Sequence, residues 1–194
     1  MILYLDTETT GLYPGQICQL SYIMQDKQKV QAKNYFFAVD NVEYGAYMVH
    51  GFSKEKLYKL SGGKSFFDHF CEIEKDILSA EVVVCHNVNF DFMFLRAEYE
   101  KCGKDFLYKN DFCTMKKLTP VCKLLRSKNS GYKYPKLSEA CAFFGITDTE
   151  IKSDVKRFFG EETDFHDARF DTTALYLIAN YGMGKGMEEL KNYL

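Results

Sequence analysis

Three short stretches concentrate the side chains able to do chemistry: "LDTET" (5–9), "HNVNFD" (86–91) and "DFHDARFD" (164–171). In a strand, residues i and i+2 point to the same side, so Asp6 and Glu8 project together. They end an apolar run, and in open α/β sheets the C-terminal ends of strands are where ligands gather. A polar strand end fraying into water would look the same. Asp91 shares a helical face with Phe94 and Leu95, its i+3 and i+4 neighbours. An acid there could equally complement the helix dipole or cap backbone N–H groups.

The last stretch is the most informative. Ala168, Asp171, Leu175 and Ile178 follow the spacing of a core-facing helical stripe. A buried carboxylate is costly unless partnered, and no Lys or Arg stands at i±3 or i±4 of Asp171. A cation shared with other acids would remove that cost. His166 is five positions earlier, about 140° away around an ideal helix, so it belongs to a loop or first turn beside that face. Asp164 and Asp167 flank the helix start, where capping is the expected role. Oxygen-only ligands of high charge suit Mg²⁺ or Mn²⁺ rather than zinc. A pair of such ions beside a histidine suits phosphodiester hydrolysis: one activates water, the other stabilises the leaving oxygen, and the histidine takes the proton.

The elements that must position these residues read as a mixed α/β pattern. "MILYLDTET" is a short buried strand. "ICQLSYIMQD" and "VQAKNYFFAV" are β-rich runs that form an antiparallel meander with it. Residues 53–79 are helical with a break at "SGGKS" (61–65). "AEVVVCHN" is a continuous apolar run of the type buried on both faces of a parallel sheet. A helix from about Phe90 to Gly103 follows, then a short strand at "NDFCTM". Residues 114–126 and 136–144 are expected to be helical around the loop "SKNSGYKYP", and "HDARFDTTALYLIANYG" and "MEELKNYL" are the last two helices. No repeat, linker or low-complexity segment divides the 194 residues, which predicts one domain over 1–194.

Bulk properties narrow the function. With 46% hydrophobic residues and only three prolines the chain can build a core and is not expected to be disordered. A net charge of −2 provides no global field for coating duplexes, but an enzyme gripping a chain end through metal ions needs none. Seven cysteines without CxxC spacing argue against a disulfide framework or structural zinc. The N-terminus has no basic region and its apolar run is too short for a signal peptide or membrane span. A cytoplasmic protein with no membrane partner is expected.

"LDTETTGL", "HNVNFD" and "HDARFDTTAL" resemble, in order, the three motifs of the DEDDh (DnaQ-like) 3′–5′ exonucleases. This group includes the proofreading subunit of bacterial replicative polymerases, ribonuclease T and mammalian repair exonucleases. "MVHGFSKEKL" and "YPKLSEACAFFGI" resemble the segments between the motifs, so the resemblance runs from about Met1 to Ala179. It implies a ribonuclease H-like α/β fold, a five-stranded mixed sheet flanked by helices. It implies two Mg²⁺ or Mn²⁺ ions held by Asp6, Glu8, Asp91 and Asp171, with Asp6 bridging both, and His166 as general base. It further implies that Leu12 wedges against the terminal bases and that Thr9, Thr10, His50 and Phe90 contact the terminal nucleotide. Leu12 and Phe90 could equally be core residues, and His50, before Gly51, a turn histidine.

The expected activity is therefore release of 5′-mononucleotides from the 3′ end of DNA, single-stranded or frayed. The alternative is trimming of RNA 3′ ends; the remote alternative is an inactive binding module, against which all five key positions are filled. The sequence stops soon after the last helix, without the tail through which the bacterial proofreading subunit meets its polymerase, so a polymerase partner is expected only through another surface. One feature stands apart: "KLLRSKNSGYKYPK" (123–136) gathers Lys123, Arg126, Lys128, Lys133 and Lys136 around Tyr132 and Tyr134. Basic residues among aromatics suit single-stranded nucleic acid, and a solvated loop is the plain alternative.

Overall fold

The structure is a computed structural model and describes residues 1–27, 29–127 and 131–194. Five strands form one sheet in the order β3-β2-β1-β4-β5: β1 (Ile2–Thr9), β2 (Ile17–Asp26), β3 (Lys29–Phe36), β4 (Val82–Cys85) and β5 (Asp111–Cys113). The first three are an antiparallel meander, while β4 runs parallel to β1 and β5 parallel to β4. Around them lie α1 (Tyr44–His50), α2 (Lys54–Ser61), α3 (Phe66–Ser79), α4 (Val88–Lys101), α5 (Thr114–Cys122), α6 (Leu137–Phe144), α7 (Asp148–Phe159) and α8 (Ala168–Gly182). A 3₁₀ helix, Glu188–Tyr193, follows.

The central strand β1 is covered on both faces, and its period of two divides the core. Ile2 and Tyr4 face α8, packing with Leu175 and Ile178. Leu3 and Leu5 face α3 and α4, packing with Ile73, Ile77, Phe94 and Leu95. Each buried aliphatic side chain contributes about 1.5–3 kcal/mol. The three helices packed on its faces thus hold β1 up to the residue where its continuous apolar run ends, before Asp6.

Most expected elements are present, with adjusted bounds. The break at 61–65 separates α2 from α3: Gly62 ends α2 in the left-handed conformation, and Ser65 with Asp68 forms a capping box for α3. The helix expected over 114–126 ends at Cys122, because Pro120 cannot donate to the ladder and Lys123 turns left-handed at φ 52°. β3 ends at Phe36, short of the apolar run's end at Val39. The closing helix is 3₁₀ rather than α.

Two helices fall outside the sequence expectation. The short α1 presents Tyr44, Met48 and Val49 to solvent and has no apolar stripe to betray it. For α7 a signal exists: Thr147 caps Glu150 N–H in a T-x-x-E pattern, and Ile151 and Val155 are buried one turn apart. Among the described residues no helix is long and apolar enough to cross a membrane.

Candidate metal centre

The acids converge at the C-terminal end of β1. Asp6 and Glu8 lie on the α8 face of the strand, and Asp171 reaches them from the first turn of α8. Asp91 arrives from the other face: it sits in the first turn of α4, 4% exposed, and its Oδ1 accepts from Thr7 Oγ1 at 2.9 Å. Thr7 points to the α4 side because it alternates with Asp6 and Glu8. Three elements thus bring four carboxylates together, and a register shift between Glu8 and Thr9 re-aims the strand end.

The start of α8 is anchored to the sheet. Gln19, fully buried on β2 opposite Glu8, donates to Asp167 Oδ1 at 2.9 Å and accepts from Ala168 N–H at 3.0 Å. Asp167 is the N-cap and also binds Arg169 through both oxygens, at 2.8 and 2.7 Å. Arg169 additionally pairs with Glu161. Asp167 therefore has the helix-start role its position suggests. Asp164 does not: it is exposed and pairs with Lys152 of α7 at 2.5 Å.

His166 stands in the turn before α8, off the stripe carrying Asp171, with a left-handed φ of 66°. Its backbone N–H donates to Asp171 Oδ2 at 3.2 Å, which ties the turn to the acid. Its ring is exposed, and its nitrogen, a Glu8 oxygen and an Asp171 oxygen all lie within 4.8 Å of one another.

The site is electrostatically unbalanced. Burial, reinforced by the charge of Asp171 and the other acids, raises Asp6 and Glu8 well above the usual carboxylate range. Burial pushes Asp91 and Asp171 up to about 7. Asp171 Oδ1 is buried and has no hydrogen-bond partner. The nearest buried cation, Arg169, is consumed by Asp167 and Glu161. Crowded carboxylate oxygens with an orphan among them are a donor set fitted to a hard divalent cation. Asp6, Glu8, Asp91 and Asp171 could hold such ions, and His166 stands close enough to accept a proton beside them.

A cleft of about 380 Å³ opens beside Glu8, lined by Thr9, Gly11, Leu12, Glu43, His50 and Phe90 among others. Leu12 is 75% exposed at its rim, so it is not a core residue. Phe90 is half-buried and leans on Phe94. The Thr9 and Thr10 hydroxyls serve the loop itself, the first donating to Gly11 O and the second accepting from Gln16 N–H; Thr10 does not line the cleft. His50 has both nitrogens engaged: Nδ1 accepts from Phe52 N–H at 3.0 Å, leaving Nε2 to donate to Thr9 O at 3.2 Å. It fits the turn-histidine alternative while its ring forms cleft wall. A Cβ at Gly11 would lie 2.4 Å from the Glu43 carboxyl, so a side chain there would have to push the Glu43 carboxyl out of its place over the loop.

Thr7, Gln19 and Glu43 were not singled out from the sequence. Only pairing places Gln19 opposite Glu8, and only the fold of α1 brings Glu43 over Gly11. Part of the basic-aromatic segment, Lys128 included, lies outside the described residues. Its remaining residues sit away from the cleft, before α6.

No protein-family model and no curated protein matches the chain. Among solved structures, the metal-free form of the E. coli ExoI–ssDNA complex is similar, with a TM-score of 0.66 at 16% identity. The match covers 99% of this chain and 41% of that one, so the chain spans well under half the length of ExoI. The architecture is therefore α/β and ribonuclease H-like, a five-stranded mixed sheet flanked by helices.

Proposed function

We propose that the protein is a metal-dependent 3′–5′ exonuclease of the DEDDh type that releases 5′-mononucleotides from DNA ends. The observation that carries this reading is the convergence of four carboxylates from three elements, with Asp171 Oδ1 left unpaired, beside a cleft large enough for a nucleotide. The likeness to a protein crystallised with ssDNA supports single-stranded DNA as substrate.

In this mechanism Asp6, Glu8, Asp91 and Asp171 would hold two Mg²⁺ or Mn²⁺ ions. Such ions, when bound, would supply charge stabilisation at the phosphoryl group and acidify water. Thr7 keeps Asp91 turned toward the site through its 2.9 Å bond. Gln19 and Asp167 fix the helix start from which Asp171 and His166 project. His166 takes the proton of the attacking water and, being exposed, can pass it to solvent. Leu12 and Phe90 press on the terminal base from the cleft walls.

The test offers matched 5′-labelled ssDNA, dsDNA and RNA with Mg²⁺ or Mn²⁺ and identifies products from each end. Stepwise shortening from the 3′ end of ssDNA, abolished by EDTA and by Asp171→Ala, is expected. Faster shortening of RNA would select end trimming instead. No hydrolysis of any substrate, or an Asp171→Ala protein as active as the wild type, would overturn the assignment.

A further inference from the structure

The segment after α5 has exposed groups that the proposed reaction does not use. α5 ends at Lys123, and the chain then makes a short ladder: Leu125 bridges Tyr132, Lys133 N–H donates to Leu124 O at 2.8 Å, and Arg126 Nε donates to Tyr132 O at 3.0 Å. The described ends of the loop are thus held together rather than trailing. On them Leu125 is 76% and Tyr134 55% exposed, with Tyr132 close behind. Lys133 is neutralised by Glu139. Lys123, Arg126 and Lys136 are exposed and have no acidic partner among the described residues. In a chain of net charge −2 this is a local positive, aromatic surface.

Its position relative to the acids follows from the sheet topology. β4 lies beside β1 and runs parallel to it, so its C-terminal end points the same way as the end of β1 that carries the acids. β4 ends at Cys85, close enough to Asp91 and Asp6 to feel their charge, and His86 follows it directly. His86 Nε2 bonds Pro135 O at 2.9 Å, and its Nδ1 meets Thr114 Oγ1 at 3.0 Å. Tyr134 and Lys136, the neighbours of Pro135, are therefore tied to the C-terminal end of β4, the same end of the sheet as the candidate metal centre. They lie on the β4 side, whereas the nucleotide cleft opens on the α1 side.

We infer that Lys123, Arg126, Tyr132, Tyr134 and Lys136 form a second contact for single-stranded nucleic acid, holding the part of the strand that extends beyond the metal centre. This rests on the nuclease reading for its direction but not for its chemistry. Three unpaired cations match phosphates, and two exposed tyrosines offer faces on which bases of any sequence can stack. A protein partner is disfavoured, since among its described residues the surface has one exposed aliphatic side chain, Leu125, and no apolar groove.

The experiment measures binding of a fluorescent oligothymidylate of roughly 20 nucleotides by anisotropy in EDTA, where turnover is blocked and the acids hold no metal. Neutralising three phosphates predicts a salt slope near −2 from these residues, or roughly 20-fold in affinity between about 50 and 200 mM salt. The variant Lys123→Glu/Arg126→Glu/Lys136→Glu should lose that dependence and bind at least about tenfold more weakly at low salt. Tyr132→Ala/Tyr134→Ala should weaken binding about fivefold or more with the salt slope retained. With Mg²⁺, both variants should cleave a dinucleotide at wild-type rate, since it cannot reach the segment.

Wild-type affinity and slope in the triple variant would overturn the inference, as would a wild type that does not bind the oligomer in EDTA. Loss of dinucleotide cleavage equal to the loss on the long strand would also overturn it, making the segment a support for His86. A wild type that binds the oligomer through this segment yet hydrolyses nothing would leave the contact standing and the nuclease reading refuted.

Discussion

Replacing Asp171 with Asn should stabilise the metal-free protein while removing its activity. Asp171 is 8% exposed, its Oδ1 is orphaned, and its carboxyl is raised from 3.8 to about 7 by burial. In the unfolded chain the carboxyl loses its proton near 3.8, whereas in the folded state it holds it to about 7. Its contribution is thus fully present below the unfolded value and lost as pH rises through about 7. A rise of that size corresponds to roughly 4 kcal/mol lost at alkaline pH, as an upper figure.

An amide keeps the His166 N–H bond through its oxygen, while its own NH₂ needs a partner at a cost of about 1–2 kcal/mol. The net gain for Asp171→Asn in EDTA at pH 8 is about 2–3 kcal/mol. In a chain of this length that is a Tm increase of about 5–10 °C. Near pH 4 the charge contribution vanishes and only the amide's cost remains, so the variant should be about 1–2 kcal/mol less stable than the wild type. Mg²⁺ should raise the Tm of the wild type at pH 8 and barely move the variant. The assay is thermal unfolding at both pH values with EDTA or Mg²⁺. An Asp171→Asn protein no more stable than wild type at pH 8, or one with the same Mg²⁺-induced increase, would refute the claim that charge crowding awaits a cation.

Other predictions follow from the same geometry. Mg²⁺ affinity should increase with pH up to about 7, as Asp91 and Asp171 release their protons, and binding should liberate protons measurable by calorimetry in buffers of different ionisation enthalpy. A pH-independent affinity between about 6 and 8 would count against it. His166→Ala should lower the chemical step about 10²–10⁴-fold while the Mg²⁺ midpoint stays put; equal loss of both would make it a ligand or a structural residue. Gln19→Ala should cost about 1–3 kcal/mol in urea unfolding, by stranding the Ala168 N–H and removing one donor from Asp167, and should lower turnover although none of the four site acids is touched. Unchanged turnover in that variant would show that the helix start does not need the β2 anchor.

The sequence by itself determined which side chains could act and much of what carries them. The period-two alternation in "LDTET" places Asp6 and Glu8 on one face, and the i, i+3, i+7 stripe in "HDARFDTTALYLI" places Asp171 against the core. These are local consequences of backbone period, readable without knowing any neighbour. The meander, the parallel β4 and the turn position of His166 were legible for the same reason. Only the tertiary structure decided how the acids meet. Asp91 and Asp6 approach from opposite faces of the sheet, a relation that depends on α4 and α8 packing on different sides. Gln19 opposite Glu8, Thr7 on Asp91 and Glu43 over Gly11 depend on pairing and packing between residues far apart in the chain. Whether Leu12 belonged to the core or the rim also waited on the fold, since apolar type alone does not say which surface remains uncovered. Local period assigns a face to each side chain; long-range packing decides which faces confront one another.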